Sequence, residues 1–202
     1  MRLESCSIPP KLPEVETSVF AVMSQMAATH NAVNLSQGFP DFDISPALIK
    51  RVHYHMEQGK NQYAPMKGVE KLRQQISAMI KRHHQQPYDP EEEITVTAGA
   101  TQAIYTAISA LVRKNDEVII FQPAYDIYAP AIRMNGGIVK YSTLVAPEYS
   151  INWDEVRSLV SPDTRMIIIN TPHNPTGAVL TERDMKTLEK ISGRQQHCSA
   201  QR

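Results

Sequence analysis

Excess charge of either sign is the first thing this chain lacks. Across 202 residues Lys+Arg and Asp+Glu both number 21, so the net charge is zero. No basic face is implied, which weighs against nucleic acid as the main partner. Cysteine is scarce too: Cys6 and Cys198 sit near opposite ends, and two unpaired thiols suit a cytoplasmic chain better than a disulfide scaffold. Long apolar runs are missing, and no stretch approaches membrane-spanning length. The first twenty residues hold no apolar run flanked by positive charge, and Pro9, Pro10 and Pro13 interrupt them, so no ordinary signal peptide is expected. What the chain does have is 42% hydrophobic residues. That is enough for a sizeable core, in a length that suits one domain or one and a half.

The pattern along the chain changes character once. Residues 1–45 read as an extended arm with one short helix, Val19, Val22, Met23 and Met26 sharing a face, followed by strand and loop over 34–40. Pro46 opens a helix with Leu48, Ile49, Val52 and Met56 on one side, and a stronger helix after Gly68 carries Val69, Leu72, Ile76, Met79 and Ile80. From residue 94 strands and helices alternate. Strands are predicted at 94–97, 117–121, 138–143 and 166–170. The helix between the first two, with Ala103, Ile104, Ala107, Ile108, Leu111 and Val112, has almost no polar face near its middle and is expected to be buried. Residues 117–121 are near-continuously apolar, as in a parallel strand covered on both sides. Asn152 and Glu155 mark one helix start; Thr181 and Asp184 form a candidate capping box at another, with Leu180 and Met185 placed to staple it. This succession predicts an α/β fold, three-layer α/β/α with a mostly parallel sheet.

Three segments offer ligand-binding groups. Ala98-Gly99-Ala100-Thr101-Gln102 joins a predicted strand to a helix; its small residues and helix-start N–H groups make a candidate phosphate cup, or simply a tight packed turn. Phe121-Gln122-Pro123-Ala124-Tyr125-Asp126-Ile127-Tyr128 carries Tyr125, which either lies flat on a planar ring or covers the sheet edge with Tyr128. Asn170-Thr171-Pro172-His173-Asn174-Pro175-Thr176-Gly177 holds Asn174 between prolines. Its amide suits a ring hydroxyl or carboxylate, though a proline-rich turn needing one polar residue would look the same. Open α/β sheets hold ligands at the carboxyl ends of their strands. Three such ends together describe a phosphorylated aromatic cofactor.

These segments, with Asn34-Leu35-Ser36-Gln37-Gly38-Phe39-Pro40-Asp41-Phe42 and Asn61-Gln62-Tyr63, occur in the order and spacing of the fold-type I, class I aminotransferases. The chain resembles that family over about residues 11–192, and its Gln-Gly-Phe-Pro-Asp-Phe wording resembles the branch holding methionine aminotransferase, kynurenine aminotransferase and glutamine transaminase K. The resemblance implies pyridoxal 5'-phosphate, held at its phosphate by the Ala100 and Thr101 amides, under Tyr125, with its phenolic oxygen on Asn174. Gly38 would approach the substrate carboxylate through its backbone. Tyr63 would reach the phosphate in the partner subunit of a homodimer, and the bonds before Pro123 and Pro175 are candidates for cis peptides. Residues 1–45 would be arm and small-domain segment, 46–192 part of the cofactor-binding domain, and 193–202 a polar tail outside the pattern.

The resemblance also implies three groups that no motif here supplies: a lysine that carries the cofactor, an acid against the pyridine nitrogen, and an arginine for the substrate carboxylate. Lys50, Lys71, Lys81, Lys186 and Lys190 fall on solvated helix faces, where a pKa near 10 suits covalent catalysis poorly. His53 and His55 point to different faces, and the adjacent His83 and His84 lack metal-ligand spacing. No metal site and no catalytic residue is assigned. The expectation is the N-terminal half of an aminotransferase that moves an amino group from methionine, glutamine or an aromatic amino acid to a 2-oxo acid. It is expected to be truncated, by frameshift or premature stop, and inactive as written. The alternatives are a non-catalytic partner docking on a full-length subunit and a phosphate-binding α/β module of another function.

Overall fold

The computed structural model describes residues 8–15, 17–38 and 40–193, and the backbone alone of 198–201. Cys6, Phe39, the first seven residues of the arm and residues 194–197 and 202 of the tail, all used in the sequence reading, lie outside the described residues. Contacts divide the chain into two compact units, one of Met1–Val15 with Thr97–Arg202 and one of Glu16–Val96. They are called here the sheet unit and the helical unit.

The helical unit holds α1 (Val19–Thr29), α2 (Pro46–Glu57) and α3 (Glu70–His84). Each starts where its sequence directs. The Ser18 hydroxyl accepts the Ala21 N–H at 3.3 Å, Pro46 occupies the first turn of α2, and Glu70 places a carboxylate in the first turn of α3. No strand forms among the described residues of 34–40. Instead the Asn34 side-chain oxygen accepts from the Ser36 N–H (3.0 Å) and hydroxyl (2.7 Å), a local turn that competes with extended pairing. Residues 94–97 also form no strand. A ladder needs a neighbour, and the backbone bonds among the described residues here are two isolated ones, from the Val96 N–H to the Lys67 carbonyl at 2.9 Å and from the Gly99 N–H to the Thr97 carbonyl at 2.8 Å. Arg73, 4% exposed, ties this unit together: its guanidinium donates to the carbonyls of Gly68 and Pro90 and pairs with Glu91 at 2.9 Å.

The sheet unit runs α4 (Gly99–Leu111), β1 (Glu117–Gln122), α5 (Tyr128–Met134), β2 (Ile138–Thr143), α6 (Trp153–Leu159), β3 (Thr164–Ile169), α7 (Glu182–Ser192) and β4 (Cys198–Gln201). The strands are all parallel, in the order β2-β1-β3-β4. Side chains alternate faces along each strand. Val118 and Ile120 of β1 and Met166 and Ile168 of β3 pack under α4 and α5. Ile119, Phe121, Ile167 and Ile169 pack under α6 and α7 through Val156, Leu188 and Ile191. Helices therefore cover both faces, a three-layer α/β/α arrangement.

Both predicted helix starts are present. Asn152 accepts the Asp154 and Glu155 N–H groups, while the Glu155 carboxylate takes the hydroxyl of fully buried Ser142 at 2.6 Å. Thr181 and Asp184 form a reciprocal capping box, and Asp184 also accepts the Trp153 indole N–H at 2.8 Å. Two expectations need correction. The helix α4 is not buried all round: Ile108 is buried, Ile104 and Leu111 are half-buried, and Tyr105, Ser109 and Ala110 are exposed, because only one side of α4 meets the sheet. The polar tail, expected to contain no strand, contributes β4, and so the outer edge of β3 is paired. Parallel pairing is made by main-chain N–H and C=O groups, which any non-proline sequence carries.

Candidate cofactor site

The strand order places the site before any side chain is considered. β1 is followed by α5 on one face of the sheet, and its neighbour β3 by α7 on the other. Connections leaving two adjacent parallel strands toward opposite faces open a crevice between them at the carboxyl ends, where doubly wound sheets bind ligands. The loops bordering it are the one after Gln122, carrying Tyr125, and the one after Ile169, carrying Asn174.

The α4 start joins them. Gly99 has φ +81°, a conformation that disfavours any side chain. The turn is pinned by the Thr97 hydroxyl on the Gly99 carbonyl (3.0 Å) and by the Gln102 side-chain oxygen on the Ala98 N–H (2.5 Å). The N–H groups of Ala100 and Thr101, in the first turn, have no acceptor among the described residues. The Thr101 hydroxyl lies 3.1 Å from the Tyr125 hydroxyl. Tyr125 is half-buried, packs on the α4/α5 core and meets Tyr128 edge-on at 5.8 Å. Tyr128 itself is a core residue, 4% exposed.

The Asn174 loop is stapled from within. The Thr171 hydroxyl accepts the Leu180 N–H (3.0 Å), the His173 N–H reaches the Ala178 carbonyl (2.8 Å), and the Gly177 N–H, on a residue at φ +77°, reaches the His173 carbonyl (2.7 Å). His173 Nδ1 is 2.9 Å from the Thr176 hydroxyl, and burial lowers the pKa of its ring by disfavouring the charged form. The Asn174 N–H donates to Asn170 Oδ1 at 2.7 Å, while its own exposed carboxamide makes no hydrogen bond among the described residues. The bonds before Pro123 and Pro175 are cis, and so are those before Pro147 and Pro172. The supporting roles of Gln102, Asn170 and Thr171 were not anticipated. The Asn-x-x-x-Asn spacing of 170 and 174 was the available signal.

Gly38 and Tyr63 belong to the helical unit. Gly38 is exposed, with open space where a side chain would project, just beyond the Asn34–Ser36 turn. Tyr63 is fully exposed. Three lysines of the sheet unit have partners of their own: Lys11 donates to the Met134 carbonyl, Lys140 pairs with Glu117 and Lys186 with Glu182.

The profile of the family "Aminotransferase class I and II" matches residues 30–197. This chain belongs to that family. It is 50% identical over 184 residues to the methionine aminotransferase of Escherichia coli, covering 91% of this chain and 48% of that protein. To the kynurenine–oxoglutarate transaminase of Dictyostelium discoideum it is 33% identical over 193 residues, covering 86% of this chain and 44% of that protein. Among solved structures, that of N-succinyldiaminopimelate aminotransferase from Mycobacterium tuberculosis superposes with TM-score 0.91 at 38% identity, covering 96% of this chain and 51% of the other. The chain spans about half the length of the curated relatives it matches. Among the described residues, no helix is long and apolar enough to cross a membrane.

The residues present fit the cofactor of such an aminotransferase. Free N–H groups at the start of a thirteen-residue helix suit a phosphate dianion, a tethered tyrosine suits the face of a pyridine ring, and an unpaired carboxamide suits its phenolic oxygen.

Proposed function

We propose that residues 97–180 form the non-covalent half of a pyridoxal 5'-phosphate site in an aminotransferase, acting in a cytoplasmic homodimer on methionine, glutamine or an aromatic amino acid with a 2-oxo acid as acceptor. In this reading 1–45 is arm and small-domain segment and 46–192 belongs to the cofactor-binding domain. The observation that carries it is the 3.1 Å link between Thr101 and Tyr125 at the crevice where the Asn174 loop also emerges. The cofactor, when bound, supplies an electron sink for the bond broken at the substrate α-carbon. The residues of this chain bind and orient it. Ala100 and Thr101 N–H groups fix the phosphate, Tyr125 fixes the ring plane, Asn174 fixes the ring's rotation through the phenolic oxygen, and the backbone at Gly38 receives the substrate carboxylate. Tyr63 reaches the phosphate held by a partner subunit. Proton transfer at the α-carbon needs a lysine that these residues do not direct to the cradle, so the 202-residue chain by itself binds cofactor without turning over.

Titration of the purified chain followed by the cofactor's visible absorbance tests this reading. Binding should saturate, weaken strongly for pyridoxal lacking the phosphate, and leave no stoichiometric lysine adduct after borohydride reduction. An adduct fixed on one lysine, with turnover of methionine and an oxo acid, would contradict it. A second reading, a non-catalytic partner docking on a full-length subunit, is favoured by the exposed apolar faces of α1 and α2 and by Tyr63. Co-purification with an intact relative, lost on Tyr63→Ala, would support it.

A further inference from the structure

The Asn174 N–H is held by the Asn170 side chain at the end of β3. The staples of its loop, from Thr171 to Leu180, His173 to Ala178 and Gly177 to His173, close the neck and the return arm without touching Asn174. One bond reaches Asn174 itself, from the Asn170 side chain to its N–H at 2.7 Å. Asn170 directly follows Ile169, which is 2% exposed and locked in the core. An N–H can only donate, so the Asn170 atom facing it is its carbonyl oxygen. The bond therefore spans from the fixed end of β3 to the loop tip and sets where the Asn174 carboxamide stands relative to the sheet.

We propose that Asn170 is a positioning residue for recognition of the cofactor's ring oxygen, acting through Asn174; this rests on the reading of the crevice as a pyridoxal 5'-phosphate site. Asn174 is exposed, so water replaces the lost acceptor when Asn170 is changed, and the loss falls on aim rather than on folding. The phosphate cup at Ala100 and Thr101 has its own supports, Thr97 and Gln102, and is independent of Asn170.

The test uses the full chain as wild type, Asn170→Leu and Asn170→Asp. The ligands are pyridoxal 5'-phosphate, the same compound lacking the ring hydroxyl, and inorganic phosphate. Asn170→Leu should raise the Kd for pyridoxal 5'-phosphate about 3- to 10-fold, the range of one hydrogen bond. It should leave the other two ligands unchanged within about twofold. Asn170→Asp, which keeps an acceptor oxygen, should recover most of the loss. Without ligand, hydrogen exchange at the Asn174 amide should quicken in Asn170→Leu and not in Asn170→Asp. Equal weakening for all three ligands, or wild-type affinity in Asn170→Leu, overturns the proposal and leaves the cofactor reading standing. A wild-type chain that binds none of the three overturns both.

Discussion

Ile119, Ile120 and Ile167 of the sheet unit are at most 1% exposed, whereas Leu48, Ile49 and Val52 on α2 of the helical unit are 53–56% exposed. Leu48, Ile49 and Val52 share one helix face at period 3.6, while Ile119 and Ile120 point to the two opposite faces of β1, so each set marks faces to be covered. What differs is the presence of a second layer. In the sheet unit each face of β1 and β3 meets helices whose own stripes point back. In the helical unit, Ile94 is the one buried hydrophobic residue among those described, and the apolar positions of α1 and α2 meet solvent. Burial of one such aliphatic side chain is worth about 1.5–3 kcal/mol. The lesson is that amphipathic periodicity reports a face to be covered, not that this chain covers it.

The largest effect that would sharpen this contrast is in the core. Ile167→Ala or Ile120→Ala should destabilise the sheet unit by about 2–5 kcal/mol in denaturant unfolding, whereas Val52→Ala on α2 should change stability by less than about 0.5 kcal/mol. Similar losses at Ile167 and Val52 would mean that α2 is covered after all. A smaller effect is expected at the α7 start. Thr181→Ala removes an acceptor for the Asp184 N–H and should cost about 1 kcal/mol, measured by the same unfolding midpoint. Thr181→Ser should recover most of it.

The smallest effect is a pH dependence confined to the sheet unit. The Ser161 hydroxyl, with Lys140 and Thr164, holds the Glu117 carboxyl below its ordinary value of 4.5 against the opposing pull of burial. Burial pushes Asp184 upward, but the bonds from Thr181 and Trp153 and the charge of Arg183 together hold it below 3.8. A carboxylate depressed in the folded state contributes stability that is fully present above its unfolded pKa and is lost as pH falls through the folded value. Unfolding midpoints should therefore drop on acidification below about pH 4.5, beyond the loss that His173, its ring pKa lowered by burial, contributes from about pH 6.5 downward. The drop below about pH 4.5 should flatten in a Glu117→Gln, Asp184→Asn double variant. An unchanged acid limb in that variant would assign the dependence to other groups.

Much of the sheet unit was legible because its determinants are local. The apolar runs of β1, β2 and β3, the Asn152 and Thr181 caps, and the cis bonds before Pro123 and Pro175 all followed from short stretches of sequence or from the family resemblance. What stayed hidden depended on partners distant in sequence. Residues 94–97 have strand composition but no ladder neighbour, and Cys198–Gln201 have no strand composition but lie beside β3. The α4 stripe looked buried because Ala103 counts as apolar, although a small side chain costs little to expose and Ala103 meets solvent. Gln102 carried no signal as a support, and Asn170 only its spacing to Asn174, because a side-chain bond to a backbone N–H four residues away depends on the turn between them.

Native-state hydrogen exchange over the whole chain, with and without pyridoxal 5'-phosphate, tests the central claim most directly. Amides of β1 and β3 should exchange only through global unfolding, and those of α1 and α2 through local opening at far lower cost. The cofactor should add protection at 99–102 and 170–177 while leaving α1 and α2 as they were. Uniform protection of both units, or cofactor-dependent protection that avoids both loops, would contradict the account.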